Sequence, residues 1–324
     1  MFEDWRILIL FCVATSLAGV HACPPECTCF QDVPSVQCNT PTLDHVPMGI
    51  PTNTTLLQIK GNIDTNPQPF PLGSLFGVVR VGVVRTELRE IKKGDLTGLP
   101  LLKTLYLFDN KLQTIEVGAF DDIPAIQTIE MGSNQMSDLP PGLFRGLGAF
   151  SNLSNSIVFS LENNHIREIK KGVFRAPQGA TQIQLQNNNI SVIEPGALSA
   201  FSKIYMLLLD NNALSTLTGA LQGLDNAEII SIKSNQIVAL AENTFQGLHK
   251  LRRLDLSNNQ IGAITGQVFA NLSSLNFLDL HNNKLVRMDS PLPGGIGQVL
   301  LSSNMLSEVP PLSGALDTLD LSHN

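Results

Sequence analysis

The residue types able to do chemistry in this 324-residue chain are its carboxylates, histidines and cysteines. Asp255 and Asp279 are 24 residues apart, and each lies in a Leu-Asp-Leu triplet (Leu254 to Leu256, Leu278 to Leu280). Were those triplets adjacent parallel strands, about 5 Å would separate the two backbones. A carboxylate pair at such a distance could act across a glycosidic bond or share a calcium ion. A general acid, however, needs burial to raise its pKa, and an open sheet supplies none. A solvated acidic face turned towards a basic partner is the better account. His45, His165, His249, His281 and His323 are scattered, none at a metal-ligand spacing. No phosphate-binding loop, dinucleotide fingerprint or nucleophile elbow occurs. No catalytic residue, cofactor or metal is expected, and the chain reads as a binding scaffold rather than an enzyme.

Cysteine usage points the same way. Cys12 lies in the leader described below, and Cys23, Cys27, Cys29 and Cys38 fall within sixteen residues. An even, clustered set in a secreted chain reads as two local disulfides. A zinc site is the alternative, but no histidine completes a ligand pair nearby. Pairing all four leaves no thiol nucleophile.

The elements that must position these groups come from a repeat. Leu251-Arg-Arg-Leu-Asp-Leu-Ser-Asn-Asn259-Gln-Ile261 recurs as L-x-x-L-x-L-x-x-N-x-L. Its ninth position falls at Asn62, Thr86, Asn110, Asn134, Asn164, Asn188, Asn212, Asn235, Asn259, Asn283, Asn304 and Asn324. Twelve units in phase predict a solenoid, because one unit cannot bury its apolar side alone. Alternation within L-x-x-L-x-L puts the leucines of a short strand inward and the intervening residues outward. The wider outer segments curve the stack, with the parallel sheet on the concave side and mostly irregular or short-helical chain on the convex side. Asparagine at position nine both accepts and donates, so a stacked ladder satisfies backbone groups left open by the turn. Phe120, Phe144, Phe174, Leu198, Phe245 and Phe269 share a later phase and predict a second apolar spine on the convex side. About six extra residues, from Gly148 to Leu153, should bulge as a loop.

The motif L-x-x-L-x-L-x-x-N-x-L, with Ala119-Phe120 in the outer phase, resembles the typical extracellular leucine-rich repeat. Cys23-Pro-Pro-Glu-Cys27-Thr-Cys29, followed by Cys38, resembles the cysteine-rich N-terminal cap of such proteins. The resemblance implies the horseshoe fold, an α/β-type solenoid, and the pairs Cys23–Cys29 and Cys27–Cys38. The cap spacing is similar to that of small leucine-rich matrix proteins of the chondroadherin type. The regular 24-residue repeats are equally similar to Slit ligands, Toll-like receptors and variable lymphocyte receptors. These families close the far end with a second cap, whereas this sequence stops on the ladder residue Asn324. It is expected to be part of a longer chain, with its C-terminal cap missing.

Three segments follow: a signal peptide over 1–22, the cap over 23–52 and repeats over 53–324. Arg6 precedes an apolar run from Ile7 to Val20, and Val20-His21-Ala22 supplies the small-residue cleavage site. That run spans about 21 Å as a helix, short of the ~30 Å hydrocarbon core, and no later segment is a better membrane span. The formal charge is −7, or −6 without the leader's Glu3, Asp4 and Arg6. A mildly acidic chain without basic clusters argues against nucleic acid. The expected partner is an extracellular protein, either a matrix component or a cell-surface receptor or ligand.

The outward positions two, three, five, seven and eight are the candidate contact residues. Apolar and aromatic members are Tyr106, Phe108, Tyr205, Met206, Leu208, Ile229 and Phe277, the side-chain types that anchor interfaces. Charged members include Glu130, Glu162, Asp210, Arg253, Asp255 and Asp279, with Arg252 and Asp320. Sequons at Asn53, Asn152, Asn189 and Asn271 lie off the outward strand positions, so glycans there would leave the concave face bare.

Overall fold

Each L-x-x-L-x-L segment forms a short strand, and the strands stack in parallel because only stacking removes their leucines from water. In the computed structural model, residues 23–40, 46–61, 75–145, 157–174, 180–201, 203–311 and 316–324 are described. The leader, the inserted loop, Asn62 and Asn152 lie outside them.

Among the described residues, one sheet of fourteen strands runs from the cap to the last repeat. Its first two strands, Cys27–Phe30 and Ser35–Cys38, form an antiparallel hairpin. The second joins Leu56–Ile59 of the first repeat in parallel, and every later pairing in the sheet is parallel. The disulfides are Cys23–Cys29 and Cys27–Cys38, the pairing that the cap resemblance implies. Val36 and Cys38 carry the core of the repeats into the cap, beside Leu57 and Ile59.

The ladder forms as the amide chemistry requires. Asn188 Oδ1 accepts the Ile166 N–H at 3.0 Å, while its Nδ2 donates to the carbonyls of Leu161 and Leu185 at 3.0 and 3.1 Å. The same three bonds recur from Asn134 to Asn324. At Thr86 the hydroxyl donates to Asn110 Oδ1 and accepts the Leu88 N–H, so it carries only part of an asparagine's role. The residue before each ladder position is left-handed, for example Asn187 at φ 56° and Asn211 at φ 55°. Asparagine tolerates that region better than most residues, and Asn163, Asn187 and Asn211 also bond one another in a second, exposed ladder.

The convex side differs from the short-helical expectation: no α-helix occurs among the described residues. Turns and two-residue parallel pairings, such as Glu168–Ile169 with Val192–Ile193, occupy it. Consecutive turns there close on the residue three back, as Ala119 N–H on Glu116 C=O and Asp121 N–H on Gly118 C=O. Gly118, at φ 96°, stands between them in a conformation that no right-handed helix can continue through. The phenylalanine spine is present: Phe144 stacks on Phe120 and Phe174 at 5.6 and 5.3 Å. Phe159, a strand residue, meets it edge-on and ties the spine to the inner core.

Candidate concave binding face

The parallel register converts the repeat into rows of side chains. Third positions align as Met206, Ile229, Arg253, Phe277 and Gln298 across five neighbouring strands. Fifth positions align as Gly82, Tyr106, Glu130, Ser160, Gln184 and Leu208 in one half. In the other half they align as Leu208, Ser231, Asp255, Asp279, Leu300 and Asp320. In the interior strands the leucine-phase residue is buried, Leu207 and Leu278 fully so, whereas Leu319 of the last strand is half-buried and Tyr205, just ahead of its strand, is 40% exposed. The outward assignment therefore holds for the apolar candidates, with Met206, Leu208, Ile229, Phe277, Tyr106 and Phe108 all half-buried.

The candidates gather into separate patches. Tyr106 and Phe108 form an edge-to-face pair, centroids 6.0 Å apart. Beside them Glu130 and Glu162 approach across neighbouring strands, and the Ser160 hydroxyl donates to Glu162. Gly132 makes room there: a Cβ would strike the Glu162 carboxylate. Burial, and then the Glu162 charge, push the Glu130 carboxyl above the ordinary glutamate value. Further along, burial raises Asp210 too, opposed by bonds from the Ser231 hydroxyl at 2.5 Å and the Lys233 N–H at 2.9 Å.

The Asp255–Asp279 pair is adjacent in the sheet, but its carboxylates serve their own turns. Asp255 Oδ1 accepts the Ser257 N–H and hydroxyl at 3.0 and 2.6 Å. Asp279 Oδ1 accepts the His281 N–H at 3.0 Å and pairs with His281 Nδ1 at 2.7 Å. Asp279 is only 6% exposed, which corrects the expectation that it lies open on the face. The His281 ring covers it, a contact two residues away that alternation alone does not reveal.

A groove of about 600 Å³ opens at the strand starts, lined among others by Tyr205, Glu228, Ile229, Arg252, Arg253 and Phe277. The Arg253 guanidinium lies 3.7 Å from the Phe277 ring centroid, and Arg252 Nε meets Glu228 Oε2 at 3.3 Å. Tyr205, Ile229, Arg253 and Phe277 are thus brought together. Glu228, Ser274, Asn276 and Gln298 complete the lining and carry no sequence signal beyond their phase in the repeat. Asn53, Asn189 and Asn271 are exposed. Asn271 precedes the groove residue Ser274 by three residues, so a glycan there would flank the groove.

Residues 78–136, 100–155, 157–214, 178–237 and 225–285 each match the family described as leucine rich repeat, and together they span well over half of the chain. The chain belongs to the leucine rich repeat family. Among characterised leucine rich repeat relatives, human Reticulon-4 receptor-like 2 is 30% identical over 110 residues, 34% of this chain and 26% of that protein. The chain thus spans about a quarter of that relative's length. Among solved structures, a chain of the octameric complex of Latrophilin 3, Unc5D and FLRT2 superposes with TM-score 0.71 at 24% identity, over 87% of this chain and 84% of that one. The Drosophila Toll–Spatzle complex gives 0.60 at 17% identity, over 78% and 40% of the two chains. The TLR13–ssRNA13 complex gives 0.58 at 20%, over 77% and 40%. At these identities the likeness shows a shared leucine rich repeat fold. Among the described residues no helix is long and apolar enough to cross a membrane.

Proposed function

We propose that this leucine rich repeat chain is an extracellular scaffold, not an enzyme, that takes a protein partner on its concave face. The observation that carries the reading is the registered cluster of Tyr205, Met206, Leu208 and Ile229, half-exposed beside Arg253 and Phe277 on one rigid sheet. Large side chains held at the centre of a surface are what interface anchors look like. Two disulfides in the cap fit an oxidising compartment. The carboxylate pair best placed for hydrolysis is committed to structural bonds with Ser257 and His281. A net charge of −7, with carboxylates along the face, opposes a polyanionic ligand.

A secreted matrix or pericellular protein is the first setting. The second is the outer part of a cell-surface receptor, favoured by the stretch shared with a receptor-like relative and by folds such as Toll, which is seen bound to Spatzle. Both settings use the same face. The test is a screen of the purified protein against an array of extracellular domains, followed by a glycan wedge. Gln184→Asn with Gln186→Thr creates a sequon at a fifth position, in the middle of the concave row. Binding should disappear with the wedge and survive removal of the off-face sequon by Asn189→Gln. Retained binding in the wedge variant overturns the concave reading.

A further inference from the structure

We infer that the groove at the strand starts of the seventh to eleventh repeats receives a peptide segment carrying one carboxylate flanked by apolar side chains. The inference rests on the concave-face reading and adds the chemistry of what docks there. Two arginines enter the groove, but they are not equivalent. Arg252 is answered by Glu228 at 3.3 Å. Arg253 has no ion-pair partner among the described residues; its guanidinium lies on the Phe277 ring instead. A guanidinium stacked on an aromatic face keeps its planar fork free at the edge and has already given up much of its side-chain freedom. That is the arrangement an incoming carboxylate takes up with two parallel hydrogen bonds.

The neighbours say what should flank the carboxylate. Ile229 stands one strand away from Arg253 in the same row, with Met206 beyond it, and Tyr205 closes that side. These surfaces suit aliphatic side chains. Asn276 and Gln298 lie on the other side, available to peptide backbone groups. The strands lining the groove are interior to the sheet, and their backbones bond one another. The segment must therefore be held by side-chain contacts and not by adding a strand. A long acidic run is disfavoured, since Asp255 lies half-buried at the adjoining fifth position. The volume of about 600 Å³ is that of a short segment, within the ordinary range of ligand clefts.

The probe is a fluorescein-labelled peptide with a single central glutamate between leucines in a Gly/Ser background, read by fluorescence polarisation on the folded protein. The same peptide with glutamine at the centre should bind about tenfold more weakly, as should the glutamate peptide on Arg253→Gln. Phe277→Leu keeps the groove apolar while removing the ring under the guanidinium, and should weaken the glutamate peptide several-fold more than the glutamine peptide. Equal binding of both peptides, indifference to Arg253→Gln, or absence of binding overturns the inference. If it fails while the Gln184 glycan wedge still abolishes partner binding, the concave face stands and only the groove assignment falls. If the wedge is without effect, the broader reading fails as well.

Discussion

At the residue scale, neighbouring asparagines in one repeat do different work. Asn188 satisfies one buried N–H and two carbonyls, so Asn188→Ala should cost about 2–4 kcal/mol in chemical unfolding, because the orphaned groups stay desolvated. Asn187, left-handed and exposed, should accept glycine with a change under about 0.5 kcal/mol. A similar loss for both variants would contradict the ladder's role. On the concave face, Tyr205→Ala with Leu208→Ala should weaken partner binding at least tenfold and leave the melting temperature nearly unchanged, since both side chains point outward. An early melt with binding intact in the folded fraction would mean the register of that strand is wrong. Glu130 makes a prediction with a sign. Its folded pKa is raised by burial and by Glu162, so its contribution favours the folded state below the unfolded value and is lost as pH rises through the folded one. Glu130→Gln should therefore stabilise the protein at neutral pH and lose that advantage near pH 4, measured by melting across that range. A gain independent of pH would remove the electrostatic explanation.

At the element scale the strand is legible from sequence because its period is short and its demand simple. Leu207 must face in, so Met206 and Leu208 must face out, and both are half-buried there, while Tyr205, just ahead of the strand, is exposed by its place in the preceding segment and not by alternation. The convex segment has no such constraint. Its turns are set by backbone bonds and by glycines like Gly118 at positive φ, which side-chain periodicity does not encode. The spine was legible as a phase, yet its partners were not: Phe159 arrives from the strand and Phe201 from the turn before the next one. Candidate-site residues divide the same way. Arg253 and Phe277 follow from register, whereas their stacking and the covering of Asp279 by His281 depend on rotamers that spacing leaves free. The interlock of Phe120, Phe144, Phe159 and Phe174 makes a strong stability prediction. Phe144→Ala removes a ring that touches the other three and should cost about 3–5 kcal/mol, seen as an earlier unfolding midpoint. A loss below about 1 kcal/mol would mean that the neighbouring turns close the cavity.

At the scale of the whole molecule, each repeat touches chiefly its neighbours, so stability should be distributed as a chain of local units. The cap is where that idea can be tested, because it is held covalently. Cys27 and Cys38 lie 11 residues apart, and closing a loop of that order stabilises by about 3 kcal/mol through restriction of the unfolded chain. Ser35–Cys38 is the strand on which the first repeat's Leu56–Ile59 is laid. Without the bridge, that strand and the apolar edge beneath it, Leu57 and Ile59, lose their cover. Cys27→Ser with Cys38→Ser should therefore raise amide hydrogen exchange in residues 27–59. Protection in the distant strands Arg253–Asp255 and Phe277–Asp279 should persist, since their contacts are with each other and with adjacent repeats. The candidate groove should then keep its peptide affinity in the cap variant. Were exchange to rise along the entire sheet, the solenoid would be a single cooperative body nucleated at the cap, and loss of the cap would abolish binding in a groove that begins six repeats beyond the first.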